Sequence, residues 1–167
     1  EISPETLRDF PYPLSIAINT LASNRAERVA KYQAMGFEIL AMIDMPAAAA
    51  PSDVEVALDA HLSVMPQAVA VMEGVGDGLQ GSKPLSDQVT AVLQDTGHGL
   101  LLFSKGLNTA QKLASREGVP AASVFRDFDS KGQTAAVIRR FLDQAAFKAN
   151  QEGGVIMVGR LREETLE

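Results

Sequence analysis

The sequence predicts an α/β fold in which short buried strands alternate with helices. Apolar runs recur along the chain, and they are continuous rather than alternating, as is typical of parallel strands covered on both faces. Between these runs, apolar residues repeat with the period of an α-helix. This alternation allows either an open, doubly wound sheet or a barrel-like closure.

Six apolar runs are the predicted strands. They occupy residues 14–18, 37–43, 68–72, 100–103, 121–125 and 155–158. The first helix is predicted to begin at Ser3 and Pro4, because serine caps helix starts and proline is favoured in the first turn. Gly36, Gly97 and Gly118 each follow a helical segment, where a left-handed residue commonly ends a helix.

Helical stripes of apolar residues lie at residues 54–65, 85–96 and 138–149, and a last helix is predicted to begin near Glu163. The four alanines at residues 47–50 lie between two prolines and are predicted to form a loop.

Composition and charge bound the class of protein. The chain has 167 residues, 46% hydrophobic and 22% charged, so we expect residues 1–167 to form a single globular domain. Its 15 basic and 21 acidic residues give a net charge of −6, which argues against binding to nucleic-acid phosphates. The absence of cysteine excludes disulfides, thiolate metal sites and cysteine nucleophiles.

The sequence shows no segment that would embed the domain in a membrane. No apolar run is long enough to span a bilayer, and no signal peptide is visible. Because the chain does not begin with methionine, we expect any targeting segment or membrane anchor to precede Glu1.

Polar residues at the predicted strand ends are the candidate site. Parallel α/β folds place functional groups at the carboxyl ends of their strands. The candidates for catalysis are Asp44, Glu73, Asp77 and Asp127, and those for ligand binding are Arg160, Lys105 and Asn19. The carboxylates could hold a hard cation or perform acid–base work, or they could be solvated loop residues and helix caps.

Two further motifs carry weak signals. The glycine-rich residues 73–83 could cradle a phosphate, but the order Gly81-Ser82-Lys83 is not that of a phosphate-binding loop, and a strand-to-helix turn is the favoured interpretation. Of the two histidines, His98 precedes a strand, and His61 shares the apolar face of a helix as a satisfied, partly buried residue. No histidine-based metal site and no cofactor are expected.

Seven segments of the chain resemble the divergent polysaccharide deacetylase family, a bacterial branch of the carbohydrate deacetylases. Their order and spacing carry the likeness rather than any single piece. The segments are residues 10–17 (FPYPLSIA), 34–40 (AMGFEIL), 65–71 (MPQAVAV), 116–120 (REGVP), 124–127 (VFRD), 158–160 (VGR) and 165–167 (TLE). The resemblance implies a distorted, incomplete (β/α) barrel of six to seven mostly parallel strands, with one strand expected before Glu1.

The departures from the family concern its histidines. The resemblance places one histidine at Met42, or two residues on at Asp44, another at Gly74, and a third at Arg160 in a closing Gly-His-Pro motif. The family's paired aspartates would precede Glu1. Methionine, glycine and arginine cannot ligate zinc, so the fold is expected without the metal chemistry.

Two functions remain open. The first is a pseudoenzyme of the cell envelope, linked to carbohydrate metabolism, that binds a glycan or an envelope protein. The second is a carboxylate-based hydrolase of acetylated or glycosidic carbohydrate. The expected location is the periplasm, with or without an inner-membrane anchor, and the cytoplasm is the alternative. We also predict that Asp44, Glu73, Asp127 and Arg160 surround one mouth, with water or an anion near Arg160.

Overall fold

The structure is a computed structural model that describes residues 2, 4–46, 48–76 and 78–166, apart from the side chains of residues 4 and 5. In these ranges the six strands are β1 (Ser15–Asn19), β2 (Glu38–Ile43), β3 (Ala68–Glu73), β4 (Gly99–Phe103), β5 (Ala121–Asp127) and β6 (Ile156–Val158). The helices are α1 (Pro4–Arg8), α2 (Arg25–Ala34), α3 (Pro51–Ser63), α4 (Lys83–Thr96), α5 (Thr109–Arg116), α6 (Ala135–Glu152) and α7 (Glu163–Leu166).

All six predicted strands are confirmed, as are the helices that separate them. At Gly97, the backbone conformation and a hydrogen bond explain the predicted helix end. This residue has a φ of 77°, and its N–H donates to the Leu93 carbonyl at 2.9 Å, which closes α4 just before β4. At the other end of α4, the Ser82 hydroxyl accepts a hydrogen bond from the Leu85 N–H, so this residue caps the helix. Ser3, the predicted cap of α1, lies outside the described residues.

The order of strands in the sheet decides between the two predicted architectures. The sheet order is β1-β2-β3-β4-β5-β6, which is the order of the chain, and the strand pairs β1–β2, β2–β3, β3–β4 and β5–β6 are parallel. A doubly wound sheet reverses its strand order at a switch point, whereas a (β/α) barrel adds each strand beside the previous one. Six strands are fewer than the eight that close such a barrel, so the fold is an incomplete (β/α) barrel.

The chain divides into two compact units. The larger unit, Leu14–Ser123, holds β1 to β4 with the helices between them, and its core includes Ile18, Ile43 and Val71, which are fully buried. The smaller unit comprises Glu1–Pro13 and Val124–Glu167, and Ile138 of α6 is among its buried residues.

In the smaller unit, Gly159 follows β6 so closely against the Phe128 ring that a Cβ would collide with it. No helix in the described ranges combines the length and the apolar character needed to cross a bilayer.

Candidate functional site

The carboxyl ends of β1, β2 and β3 meet around the Asp44 carboxylate in the larger unit. Asn19, the last residue of β1, donates from Nδ2 to Asp44 Oδ2 at 2.8 Å. The Val75 N–H, from the loop after β3, donates to Asp44 Oδ1 at 2.6 Å. Asp44 itself directly follows β2, so one half-buried carboxylate joins three neighbouring strand ends. The structure therefore brings two predicted site residues, Asn19 and Asp44, into contact.

The glycine-rich loop after β3 packs directly against the chain that leaves β2. The Gly74 N–H donates to the Ile43 carbonyl at 2.9 Å, and the Gly78 N–H donates to the Met45 carbonyl at 3.0 Å. A Cβ on Gly74 would collide with Asp44 Oδ1, and one on Gly76 would lie 2.7 Å from the Met45 carbonyl oxygen. These glycines serve close backbone packing, and their loop uses several amides internally rather than presenting them to a phosphate.

Glu73 is buried at the end of β3, where it holds β4. Its Oε2 accepts from the Phe103 N–H at 3.0 Å and from Gln80 Nε2 at 2.6 Å, and Gln80 also donates to the Phe103 carbonyl at 2.9 Å. Glu73 is only 3% exposed, and its hydrogen bonds join the ends of β3 and β4. This predicted catalytic carboxylate therefore has a structural role.

His61 of α3 approaches the same end of β1. Its Nδ1 lies 2.7 Å from the hydroxyl oxygen of Thr20, a residue that is 1% exposed. Burial lowers the pKa of His61, and the negative charge of Asp44 partly opposes that effect, so the imidazole is neutral near pH 7. The predicted partly buried position of His61 is confirmed, and Nδ1 has a hydrogen-bond partner. The link of His61 to the strand ends was not predicted.

Two further predicted residues, Lys105 and Asp77, belong to this unit. Lys105 is exposed after β4, and its backbone forms a turn with Asn108, with the Lys105 N–H donating to Asn108 Oδ1 at 2.9 Å. Asp77 lies outside the described residues.

Arg160 stands at the centre of a second polar cluster, in the smaller unit. Its guanidinium donates to both oxygens of Asp127, from Nη1 at 2.5 Å and from Nη2 at 2.9 Å. Nη1 also donates to Asp129 Oδ1 at 2.6 Å. The hydrogen bonds to Asp127, followed in size of effect by those to Asp129, raise the pKa of Arg160 above its ordinary value. The Asp127 and Asp129 carboxylates thus already pair with the guanidinium that we predicted to attract water or an anion.

Asp129 anchors the carboxyl-terminal segment to the end of β5. Its carboxylate is completely buried and accepts hydrogen bonds from the Arg160 N–H at 2.6 Å and from the Thr165 hydroxyl at 2.7 Å. Arg162 lies 3.1 Å from the same carboxylate. Burial alone would raise the pKa of Asp129, but the hydrogen bonds from Arg160, Thr165 and Arg162 outweigh it and lower the pKa to about 2.

The two clusters lie in different units, one around Asp44 and one around Arg160. The prediction that Asp44, Glu73, Asp127 and Arg160 surround one mouth stays a prediction. In the described part of the chain, no three His, Asp or Glu side chains form a group that could hold a metal ion.

A profile of the family described as divergent polysaccharide deacetylase matches residues 3–167. The chain belongs to this family. Among curated proteins, none is significantly similar to the chain.

A solved structure supports the fold of this family member. The chain is similar to the crystal structure of an uncharacterized protein from Agrobacterium tumefaciens, with a TM-score of 0.79 and 18% sequence identity. The match covers 97% of this chain and 72% of the other. At this identity the likeness shows the fold alone.

The surroundings of the three positions at which the resemblance places histidines can now be described. Met42 lies within β2, and Gly74 lies against Asp44 without room for a side chain. Arg160 donates to two aspartates. These three positions therefore offer no imidazole, and one of them has no space for any.

Two functional features escaped the sequence-based reasoning. One is the contact between Thr20 and His61, which are 41 residues apart, and no local pattern signals it. The other is the pairing of Asp129, a carboxylate that the sequence already places at a strand end, with Arg162 and Thr165. The spacing of Asp127 and Asp129 was a usable signal, because residues two apart on an extended segment point to the same side.

Proposed function

We propose that this chain is a non-catalytic member of the divergent polysaccharide deacetylase family that binds polysaccharide without deacetylating it. One observation carries the proposal. Arg160 stands where the resemblance to the family places a histidine, and its guanidinium is held by Asp127 and Asp129. A permanent positive charge occupies this position and is neutralised from within the chain.

The residues present do not fit a zinc ion. Zinc in catalytic sites takes three protein ligands, chiefly imidazole, thiolate and carboxylate groups, and keeps one position open. Gly74 offers no donor and cannot accept a larger side chain while Asp44 lies against it. The Asp127 and Asp129 carboxylates already accept from a guanidinium that would repel a metal cation. Metal-dependent deacetylation therefore has no support from either cluster.

Polysaccharide is the proposed ligand because the family is described by that substrate, and because the strand ends retain polar side chains of the kind that bind sugar hydroxyls. Asn19 and Asp44 supply an amide and a carboxylate at a half-buried position. Neutral and singly charged groups of this type hydrogen-bond hydroxyl groups well.

The decisive experiment combines zinc titration, acetate release and saccharide binding on the same preparation. We expect no tight one-to-one zinc isotherm, no acetate from N-acetylated chitotetraose with or without added zinc, and saturable shifts of amide resonances with that tetrasaccharide. Submicromolar, stoichiometric zinc binding or acetate release would overturn the non-catalytic assignment. Turnover that Asp44→Asn abolishes would establish the carboxylate-based hydrolase instead, and the absence of any saccharide binding would overturn the binding role.

A further inference from the structure

Two hydrogen-bonded groups, which meet at the adjacent residues Asn19 and Thr20, form a polar set that links three strand ends to α3. Asn19 donates to Asp44, Asp44 accepts from the Val75 N–H, and Thr20, the neighbour of Asn19, lies 2.7 Å from His61 Nδ1. The Thr20 N–H also donates to the Met42 carbonyl at 3.1 Å, which ties β1 to β2 at this point. All these residues belong to the larger unit.

The His61 ring contacts this set through one of its two nitrogens. Thr20 is buried and engages Nδ1, so the ring plane is held from one side. Nε2 makes no hydrogen bond within the described residues. If Nδ1–H donates to the Thr20 hydroxyl, Nε2 carries no proton and is an acceptor. If the Thr20 hydroxyl donates to Nδ1, Nε2 carries the proton and is a donor.

The unused hydrogen-bonding capacity around His61 consists mainly of acceptors. Each oxygen of the Asp44 carboxylate accepts one hydrogen bond and has a second lone pair, and Asn19 Oδ1 accepts only from the Leu21 N–H at 2.8 Å. Asp44 carries the formal charge of the set, and that charge is negative. A ligand rich in donors, and above all one with a cationic donor, therefore fits better than an anion.

Two aliphatic side chains flank the polar set. Leu21 is 69% exposed and Val75 is 82% exposed, and the backbone N–H of each donates to a member of the set, Asn19 and Asp44 respectively. The backbone bonds fix both residues beside the polar groups. Exposed aliphatic side chains can cover the C–H surface of a sugar ring while its hydroxyl and amino groups reach the polar atoms.

We propose that Asn19, Asp44 and His61 form a saccharide subsite that prefers a free amino sugar to its N-acetylated form. The inference rests on the proposed polysaccharide-binding function and adds the chemical form of the sugar. An ammonium group would pair with the Asp44 carboxylate, and ring hydroxyls would bond His61 Nε2 and the Asn19 amide. An acetamido group in the same place would lose the charge-assisted bond.

The test compares binding of chitotetraose and N-acetylated chitotetraose to the whole chain by titration with NMR detection. We expect the amino form to bind about 10-fold more tightly, with the largest shifts at Thr20, Asp44 and His61. Asp44→Asn should reduce this preference to about 2-fold or less, because it removes the charge and keeps the shape. His61→Gln should weaken both forms about equally.

Asp95→Asn is the matched control. Asp95 is an exposed residue of α4, and its substitution changes the net charge by the same amount as Asp44→Asn. It should leave the preference unchanged. If wild-type chain binds both tetrasaccharides but Asp44→Asn keeps the full preference, or if the shifts lie elsewhere, the subsite is wrong while the proposed function stands. If neither tetrasaccharide binds, the proposed function fails and takes the subsite with it.

Discussion

At the scale of single residues, the structure explains why a glycine occupies position 74. The loop after β3 lies so close to the chain leaving β2 that only a residue without a Cβ fits between Asp44 and the Ile43 carbonyl. The resemblance to the family places a histidine here. The two positions are therefore coupled, because the space that a side chain at 74 would need is filled by the Asp44 carboxylate.

The coupling predicts that Gly74→Ala destabilises the fold by about 2 kcal/mol, as measured by urea unfolding, because the added methyl collides with Asp44 and lies 3.0 Å from the Ile43 carbonyl. The cost should fall when the same change is made in an Asp44→Ala background. Gly154→Ala is the control, since a Cβ there would meet nothing within 4 Å. An equal cost with and without the Asp44 side chain would contradict the coupling.

At the scale of elements, Asp129 joins the end of β5 to the segment that leads into α7. Its buried carboxylate accepts from the Arg160 N–H and from Thr165, and Arg162 lies beside it. Buried charges are tolerated only when they are paired and hydrogen-bonded, and this one has both kinds of partner. The same cluster holds Arg160, whose guanidinium donates to Asp127 and Asp129.

This tie predicts a specific acid sensitivity. The pKa of Asp129 is about 2 in the folded chain against an ordinary 3.8, so on acidification the unfolded chain takes up the proton first. The stabilisation is complete above about pH 4 and is lost as the pH falls toward 2, by roughly 2 kcal/mol in total. Urea unfolding of wild type and Asp129→Asn between pH 2 and 6 measures it.

The Asp129→Asn variant should be less stable at pH 6 and should approach the wild type as the pH falls. Asp95→Asn removes one exposed carboxylate and should keep the wild-type pH dependence. A constant difference between wild type and Asp129→Asn across this pH range would show that the carboxylate titrates normally.

At the scale of the whole molecule, we expect the net charge to limit the class of partner. The net charge of −6 creates a field that opposes polyanions, and the arginines of the polar cluster around Arg160 are occupied by aspartates. Nucleic-acid binding requires free cations that can displace counterions from phosphates. The same balance favours neutral and cationic ligands, in line with the saccharide proposed above.

The net charge predicts that the chain does not bind a DNA duplex of about 20 base pairs at about 150 mM salt. Fluorescence anisotropy with up to about 10 μM protein measures this, because that concentration lies within the range of ordinary non-specific dissociation constants. A basic DNA-binding domain under the same conditions should raise the anisotropy. A rise with the present chain that disappears at higher salt would reveal a phosphate-binding surface that the net charge conceals.

The sequence by itself determined the six strands, the helices between them and the polar residues at the strand ends, because apolar periodicity and helix caps are local properties of the chain. It also indicated the family, through segments whose order and spacing resemble those of its members, and the family is confirmed over residues 3–167. Apolar periodicity left a barrel and a doubly wound sheet both open, and the resemblance to the family favoured the barrel. The strand order, which only the tertiary structure shows, confirms it.

The partners of the site residues were likewise decided by the tertiary structure. Asn19 meets Asp44 across 25 residues, Thr20 meets His61 across 41, and Arg160 meets Asp129 across 31. Such contacts depend on strand register and on the path of each loop, which no local pattern encodes. The glycine-rich loop is the clearest case, because its composition suggested a phosphate cradle or a turn. In the structure, a Cβ at Gly74, Gly76 or Gly78 would collide with backbone or side-chain atoms of Asp44 or Met45.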